Sequence, residues 1–304
     1  MINLKNHLEY FFNIKIDNFR KSKNTYYFNY LEEDYIFTPF LKSKQHLEQM
    51  IKIVNVLKNY NMLVHEMIYS NNKNLITIFD NKNYILFKKN IISNKKISIQ
   101  DIIYISNIPY DFKHELNWSS LWATKIDYFE YQMSQMKNKY PLIYENFNYF
   151  IGLSEVAIAY LNNTINNLKP TVVDNMVISH YRVDCDTSLE EFYNPINLTL
   201  DHKSRDLAEY LKSNFRNNNN IKEILDSFFK KNIFSEYGVR LLFSRLIFPT
   251  HFFDVYEKII EDKADEKDIL QVILYQDDYE LFLNDFYDYI TKYINIPKIN
   301  WLRK

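Results

Sequence analysis

The sequence predicts an α+β protein with two parts, a small sheet-rich lobe over residues 1–90 and a larger helical lobe over residues 91–304. Three observations carry this prediction. Short aromatic runs separated by Asn- and Asp-rich turns fill the first part, as in antiparallel hairpins. Beyond residue 90, apolar residues recur every three or four positions, as in amphipathic helices. No repeat period or long linker interrupts the chain, which favours a single bilobal architecture.

The first lobe is predicted to contain two or three strands, one helix and then two or three further strands. Two aromatic runs, 26–30 and 35–40, flank an acidic turn and predict a hairpin. Ser43 is a suitable N-cap for the helix. Four apolar residues at helical spacing follow it: Leu47, Met50, Val54 and Leu57. Strands are then predicted over 63–69, 75–79 and 84–87.

The second lobe is predicted to be mostly helical. Its longest helix begins near Trp118, where aromatic and apolar residues step by three or four as far as Met136. A second helix is predicted over 146–163, and the stretch 172–200 is predicted to hold short strands and a loop. Further helices are predicted over 204–215, 221–229, 237–246, 252–261 and 279–293.

Glycine is almost absent from the chain. Gly152 and Gly238 are the only two glycines in 304 residues. Loops that cradle phosphates need several glycines close together, because their backbone adopts positive φ and approaches the phosphate oxygens closely. The sequence therefore excludes a Walker loop, a dinucleotide-binding loop and a kinase-type glycine-rich loop.

The charge and the cysteine content exclude further classes of partner and site. The 37 basic and 38 acidic residues give a net charge of −1 without a basic stripe, so no nucleic-acid partner is predicted. The single Cys185 excludes an internal disulfide and a cysteine zinc site, and seven scattered histidines predict no metal site. The sequence shows neither a signal peptide nor a run of 18 apolar residues. It therefore predicts a protein without a membrane partner that is cytoplasmic when made.

Four segments, in this order, resemble the YutH-type spore coat family of endospore-forming bacteria. They are NWSSLWATKIDYFEYQM from Asn117, YFIGLSEVAIAYL from Tyr149, LDHKSRDLAEYLK from Leu200 and LLFSRLIFPTHFF from Leu241. That family is related to the CotS spore coat family and is a divergent branch of the aminoglycoside and choline phosphotransferase fold. The resemblance implies a protein-kinase-like two-lobe fold and a place in the spore coat.

The resemblance also implies where the parts of a phosphotransferase site should fall. Active relatives carry His-Gly-Asp in the catalytic loop, and the corresponding residues here are His180, Tyr181 and Arg182. Arg182 cannot accept a proton from a substrate hydroxyl, because a guanidinium stays protonated in proteins. Asp184 and Asp186 come two and four residues later and are the alternative acids.

The remaining parts of a phosphotransferase site are only partly present in the sequence. The expected metal-binding position falls near residues 198–200, where there is no carboxylate. Asp201 fits the aspartate that precedes Asp-Leu-Ala in active relatives, and that tripeptide is intact at 206–208. The third strand has no lysine, although Glu48 on the next helix would be its partner. We therefore predict neither ATP nor magnesium as a cofactor.

Asp206 has a separate role in the family's fold, where it opens a helix and accepts hydrogen bonds from backbone N–H groups of the catalytic loop. The resemblance therefore implies a loop anchor at the start of a helix, where a carboxylate is favourable. His180 is interpreted as a packed loop histidine. His202, beside Asp201, is interpreted as part of a solvated turn or a local ion pair.

The arginines near the loop have two interpretations. Arg182 and Arg205 are candidates for holding an anion where the phosphates of ATP sit in active relatives, and Asp201 is a further candidate for cofactor binding. The favoured interpretation is that the two arginines form ion pairs with Asp184, Asp186 or Asp201.

The leading hypothesis is a catalytically degenerate kinase-like protein with a structural or interaction role in spore coat assembly, whose partners are other coat proteins. The main alternative is a working small-molecule phosphotransferase that uses ATP and magnesium, with Asp184 or Asp186 replacing the lost base. A third hypothesis is a cytoplasmic helical module unrelated to sporulation.

Overall fold

The computed structural model describes residues 3–90, 93–110, 117–217 and 220–302. The chain divides into two units. The first comprises Met1–Ile97 and Asp186–Thr199, and the second comprises Ser98–Cys185 and Leu200–Lys304.

The first unit extends beyond the sequence-based boundary at residue 90 because a later part of the chain pairs with its end. The backbone N–H of Ile97 donates to the carbonyl of Thr187 at 2.9 Å. The ammonium of Lys89 lies 2.6 Å from the carboxylate of Glu190. These contacts join residues about a hundred positions apart, so local patterns do not reveal them.

The bounds of the elements follow in chain order. Those of residues 3–90 are α1 (Leu4–Phe12), β1 (Arg20–Ser22), β2 (Thr25–Tyr30), β3 (Glu33–Pro39), α2 (Lys44–Asn59), β4 (Glu66–Ile68), β5 (Ile76–Phe79) and β6 (Lys82–Lys88). Those of residues 93–217 are α3 (Ile99–Ser106), α4 (Trp118–Met136), α5 (Pro141–Asn167), β7 (Met176–His180), α6 (Leu189–Phe192), β8 (Leu198–His202) and α7 (Ser204–Arg216). Those of residues 220–302 are α8 (Ile221–Phe229), α9 (Glu236–Ile247), α10 (Thr250–Ile260), α11 (Ile269–Leu274) and α12 (Gln276–Ile290).

The sheet of the first unit is antiparallel, with the order β1-β2-β3-β6-β4 and with β5 also paired to β6. Side chains alternate between its faces, as the pleat requires. Phe37 and its cross-strand partner Leu86 pack in one cluster with Leu8 of α1. Ile36 and Phe87 pack in a second cluster with Met50 of α2. Each face of the sheet therefore has its own helix and its own core.

Helix α1 is not predicted by the sequence pattern. Asn3 caps it by accepting a hydrogen bond from the backbone of Lys5 at 3.0 Å, and Asn13 ends it with a φ of 56°. His7 occupies a core position of this helix, with its Nε2 3.0 Å from Thr77 Oγ1. A histidine at that position breaks the apolar repeat from which a helix is predicted.

A second histidine, His65, is also buried, and its burial makes the stability of the fold depend on pH. His65 is fully buried, and its Nε2 has no hydrogen-bond partner within the described part of the chain. Burial lowers the pKa of His65 to about 4, against the opposing charge of Glu190. The folded unit therefore holds this imidazole neutral.

We expect His65 to reduce the free energy of unfolding by about 2 kcal/mol between roughly pH 7 and pH 5. The unfolded chain takes up this proton near pH 6.5, but the folded protein only near pH 4. The stabilisation is therefore complete above pH 6.5 and is lost as the pH falls. Urea denaturation at both pH values should show a shallower pH dependence for His65→Leu, whereas a matched variant of the exposed His46 on α2, His46→Leu, should keep the original slope. Equal slopes for both variants would refute the assignment.

The second unit is helical, apart from a two-stranded sheet of β7 and β8. Helix α9 packs against α5 and α7, and its residues from Tyr237 to Ile247 are all buried. Stacked aromatic pairs join the helices, such as Phe150 with Phe252 at 3.9 Å between ring centroids. Helix α5 begins five residues before the predicted start because Pro141 occupies its first turn, where proline needs no backbone donor. None of the helices in the described ranges combines the length and apolarity that a membrane crossing requires.

Candidate functional site

The catalytic-loop segment, residues 179–182, begins at the buried end of β7. Ser179 and His180 are each 1% exposed, whereas Arg182 is exposed. The ring of His180 therefore cannot meet a substrate in solution without movement of the strand. His180 is packed, as expected, but it is the last residue of β7 and not a loop residue.

Asp206, in the first turn of α7, holds this segment. Its carboxylate accepts a hydrogen bond from the backbone N–H of His180 at 3.0 Å and lies 2.7 Å from the Nδ1 of the same residue. Both side chains are buried, at 4% and 1% exposure. Hydrogen bonds to a buried carboxylate are stronger than neutral ones, so the two contacts suit a loop anchor.

Arg205 holds the same segment from the adjacent position. Its Nε donates to the carbonyl of His180 at 2.7 Å, and Nη2 donates to the carbonyl of Tyr181 at 3.2 Å. Its Nη1 donates to the carboxylate of Asp201 at 2.6 Å, which is the ion pair favoured from the sequence. Burial works against the charged guanidinium, but Asp201 outweighs it and raises the pKa of Arg205. Three of the five N–H donors of this guanidinium are thus committed to the loop carbonyls and Asp201.

The carboxylate of Asp201 accepts three hydrogen bonds. Besides Arg205, it accepts a hydrogen bond from the indole of Trp118 at 2.9 Å and one from the backbone N–H of His202 at 2.7 Å. The side chain is 8% exposed. Residues 198–200, where the metal position was expected, are buried in β8.

Arg182 pairs with a different acid from those predicted. Its Nη2 donates to Asp254 of α10 at 2.8 Å, and not to Asp184, Asp186 or Asp201. The prediction was wrong because these partners lie 72 positions apart in the chain, and spacing within the loop cannot reveal such a pair. Burial raises the pKa of Asp254, with the charge of Arg182 opposing it.

The two alternative acids belong to different units. Asp184 is an exposed residue of the second unit. Asp186 belongs to the first unit, where its carboxylate pairs with the ammonium of Lys96.

His202 is fully buried, so the solvated turn, one of its two interpretations from the sequence, is wrong. Its Nδ1 lies 2.8 Å from Ser204 Oγ, and its Nε2 lies 3.6 Å from Asp174. Gly238 of α9 allows this packing, because a Cβ there would lie 2.8 Å from the Asp174 carboxylate and 3.2 Å from the His202 ring. The serine, histidine and aspartate are all buried, so the arrangement is structural and offers no nucleophile to a substrate.

A buried ionic cluster on α7 was not found from the sequence. Glu209 lies 3.6 Å from the ammonium of Lys212 and 3.2 Å from Nε of Arg245. Lys212 also donates to the carbonyl of Phe248 at 2.9 Å. Burial works against ionisation of Glu209, but its basic neighbours outweigh burial and lower its pKa. Glu209 and Lys212, three positions apart, look like a surface pair in the sequence, so the pattern gave no signal of burial.

Potential metal ligands do not cluster in the described part of the chain. Across residues 3–90, 93–110, 117–217 and 220–302, no group of three or more His, Cys, Asp or Glu side chains could hold a metal ion. His114 lies outside the described residues. Glu48 is exposed on α2, and β3 carries no lysine.

The chain matches a known protein family over most of its length. A profile of the family described as "Spore coat putative kinase YutH" matches residues 5–286. The chain is 33% identical over 209 residues to the Endospore coat-associated protein YutH of Bacillus subtilis. That match covers 62% of this chain and 61% of the relative, which is less than two thirds of either.

Solved structures show the same fold. The chain is similar to an aminoglycoside phosphotransferase from Alicyclobacillus acidocaldarius, with a TM-score of 0.65, 11% identity and coverage of 91% of this chain and 93% of that chain. It is also similar to the AMP-bound spectinomycin phosphotransferase APH(9)-Ia, with a TM-score of 0.59, 12% identity and coverage of 94% and 93%. These likenesses confirm the predicted α+β kinase-like fold class.

Proposed function

The chain belongs to the YutH family of spore coat proteins with a kinase-like fold, and on that premise we propose that it is a catalytically degenerate kinase with a structural or interaction role in the spore coat. Its partners would be other coat proteins, and it would reach the coat after synthesis in the cytoplasm. The name of the Bacillus subtilis relative supports the coat assignment.

One observation carries the loss of catalysis. The Asp201 carboxylate, at the end of β8, is neutralised by Arg205 and hydrogen-bonded to Trp118. Phosphoryl transfer needs carboxylates that hold metal ions against the phosphates and a base that accepts the proton of the acceptor. Here Arg182 stands where that base is expected, and residues 198–200 carry no carboxylate for a metal ion. The nearby Asp201 is neutralised by Arg205.

The proposal predicts that ATP with Mg²⁺ leaves thermal stability unchanged. A working phosphotransferase that binds ATP would gain about 2.7 kcal/mol at a hundredfold excess of ligand over Kd. Thermal denaturation of the chain with and without Mg²⁺-ATP measures the difference.

Two variants make this test specific. A magnesium-dependent stabilisation that is lost in Asp201→Asn or Asp184→Asn, but kept in a variant of the exposed Asp127 on α4, Asp127→Asn, would establish the phosphotransferase instead.

In sporulating cells, a fluorescently tagged chain should accumulate at the coat, and the variant Asp184→Asn/Asp186→Asn should do the same. Wild-type chain that stays dispersed in the cytoplasm throughout sporulation would refute the coat role.

A further inference from the structure

A cavity of about 710 Å³ lies in the second unit, at the far end of β7 from the catalytic-loop segment. Met176 begins β7 and lines the cavity, whereas His180 ends the strand. Strands rise about 3.3 Å per residue, so these two residues lie about 13 Å apart. We name it the α3–α8 cavity, because residues 106–110 after α3 and residues 231–233 after α8 form two of its walls.

The α3–α8 cavity has the size and lining of a small-molecule site. Such sites enclose about 300–1,000 Å³ and combine apolar walls with a few polar groups. Its apolar lining includes Ile108, Pro109 and Val177, and the ring of Tyr110 adds an aromatic wall. The polar lining consists of lysine ammonium groups, asparagine amides and one serine hydroxyl.

The charge of the lining is positive. Lys203 and Lys231 line the cavity, and among the described lining residues none carries a carboxylate. The nearby Asp174 is turned away from solvent, with its side chain 0% exposed. Its oxygens accept hydrogen bonds from the backbone of Thr171 at 2.6 Å and from the hydroxyl of Ser235 at 2.7 Å. Lys203 and Lys231 therefore give the described lining two positive charges, and Asp174 offsets part of the charge of Lys203.

Lys203 is held in place by its surroundings. Its ammonium donates to the carbonyl of Ile233 and lies 4.8 Å from the ring centroid of Phe234. An ammonium has three donors, and this carbonyl takes one of them. Burial lowers the pKa of Lys203, with the charge of Asp174 opposing it. Burial removes water from this ammonium, and an anion in the cavity would restore the electrostatic stabilisation that is lost with that water.

The amide walls are also fixed before any ligand arrives. Asn107 donates to the carbonyl of Ile103 at 2.7 Å. Asn232 is 4% exposed, donates to the carbonyl of Phe228 at 3.4 Å and accepts from the hydroxyl of Ser106 at 3.5 Å. A preformed site loses little conformational entropy when it binds.

We propose that the α3–α8 cavity binds a small phosphate ester with an apolar body, its phosphate between Lys203 and Lys231 and its apolar part against Pro109 and Val177. Two ammonium groups match the double charge of a phosphate monoester, and lysines bind phosphate as point charges. This inference stands apart from the proposed coat function, because the cavity shares no residue with the catalytic-loop segment.

Phenyl phosphate is the probe, with inorganic phosphate and phenol as its two halves. Isothermal titration of the full chain should give phenyl phosphate an affinity about tenfold higher than that of either half, since both parts of the cavity are used. Raising the salt concentration should weaken binding, because charges at an accessible site are screened. A probe that binds no more tightly than inorganic phosphate would overturn the proposal.

Two neighbouring lysines give a matched pair of variants. Lys230 and Lys231 are both exposed, but only Lys231 lines the cavity. Lys231→Glu should weaken phenyl phosphate binding about tenfold because it reverses one of the two charges, whereas Lys230→Glu should leave it unchanged. Equal loss in both variants would reveal nonspecific attraction and would refute the site. Unchanged melting temperatures of both variants establish that they are folded.

Discussion

Replacement of Asp206 by alanine is expected to lower the free energy of unfolding by about 4 kcal/mol. The carboxylate accepts from both the backbone N–H and the ring of His180, and each hydrogen bond to a charged group contributes about 1.5–3 kcal/mol. Alanine would leave the two groups of His180 buried without that acceptor. Urea denaturation at neutral pH measures the loss.

Graded and control variants separate the anchor from a general effect of removing an aspartate. Asp206→Asn keeps one oxygen acceptor but loses the charge, so about half of the loss is expected. Asp127→Ala removes an exposed helical aspartate of α4 and should change stability by less than about 0.5 kcal/mol. A loss in Asp206→Ala no larger than that of Asp127→Ala would refute the anchor.

The anchoring role also predicts a local effect that general destabilisation would not produce. Arg182 is exposed and is followed by the buried Val183. Trypsin should therefore cleave the folded wild-type chain slowly after Arg182. Asp206 and Arg205 hold the segment before this bond, and the buried Val183 holds the chain after it. In Asp206→Asn, under conditions where the rest of the chain stays folded, cleavage at this bond should become faster than at other exposed arginines. Uniform acceleration at all sites would contradict a loop anchor.

Contacts near in sequence were accessible to prediction, and distant ones were not. The helix after Ser43 was predicted because its cap and its apolar spacing are local, and α2 begins at Lys44. Arg205 pairs with Asp201, only four positions away in the chain, and Asp201 was among the partners expected from the sequence. Arg182 pairs across 72 positions with Asp254, and no local pattern encodes that distance.

Burial of polar residues was the second limit. His7, His202 and Lys212 are all buried, yet each has the polarity of a surface residue. Some of their partners are distant in the chain and become adjacent only after folding, such as Thr77 for His7 and the carbonyl of Phe248 for Lys212. A hydrophobic pattern therefore predicts the helices and strands of this fold but not the polar side chains that are buried between them.

Replacement of Glu209 by glutamine is the second large effect that we expect, with a loss of about 3 kcal/mol in the free energy of unfolding. The change keeps the shape of the side chain but removes the negative charge between Lys212 and Arg245, which are buried at 3% and 5% exposure. Removing one partner of a buried ion pair costs about 3–5 kcal/mol, because the remaining charges are uncompensated. Urea denaturation is the measurement.

The same helical unit contains a matched control. Glu236 pairs with Arg240 at 3.3 Å, but its side chain is 45% exposed. Glu236→Gln should cost no more than about 0.5 kcal/mol, since an exposed pair is screened by solvent. The double variant Glu209→Gln/Lys212→Met removes one of the uncompensated charges and should be more stable than Glu209→Gln alone.

The pH dependence of the Glu209→Gln variant separates lost charge from lost packing. Burial lowers the pKa of Lys212 to about 8 in the folded protein, although Glu209 opposes this, and the ordinary value is 10.5. A lysine with a lowered folded pKa stabilises the protein as the pH rises, because the unfolded chain then holds more protons. In wild type this gain should begin near pH 8. Without the charge of Glu209 the folded pKa falls further, so the gain should begin below pH 8. If the pH profiles of Glu209→Gln and wild type are parallel, charge compensation is not the reason for the loss, and the cluster stabilises this unit through packing alone.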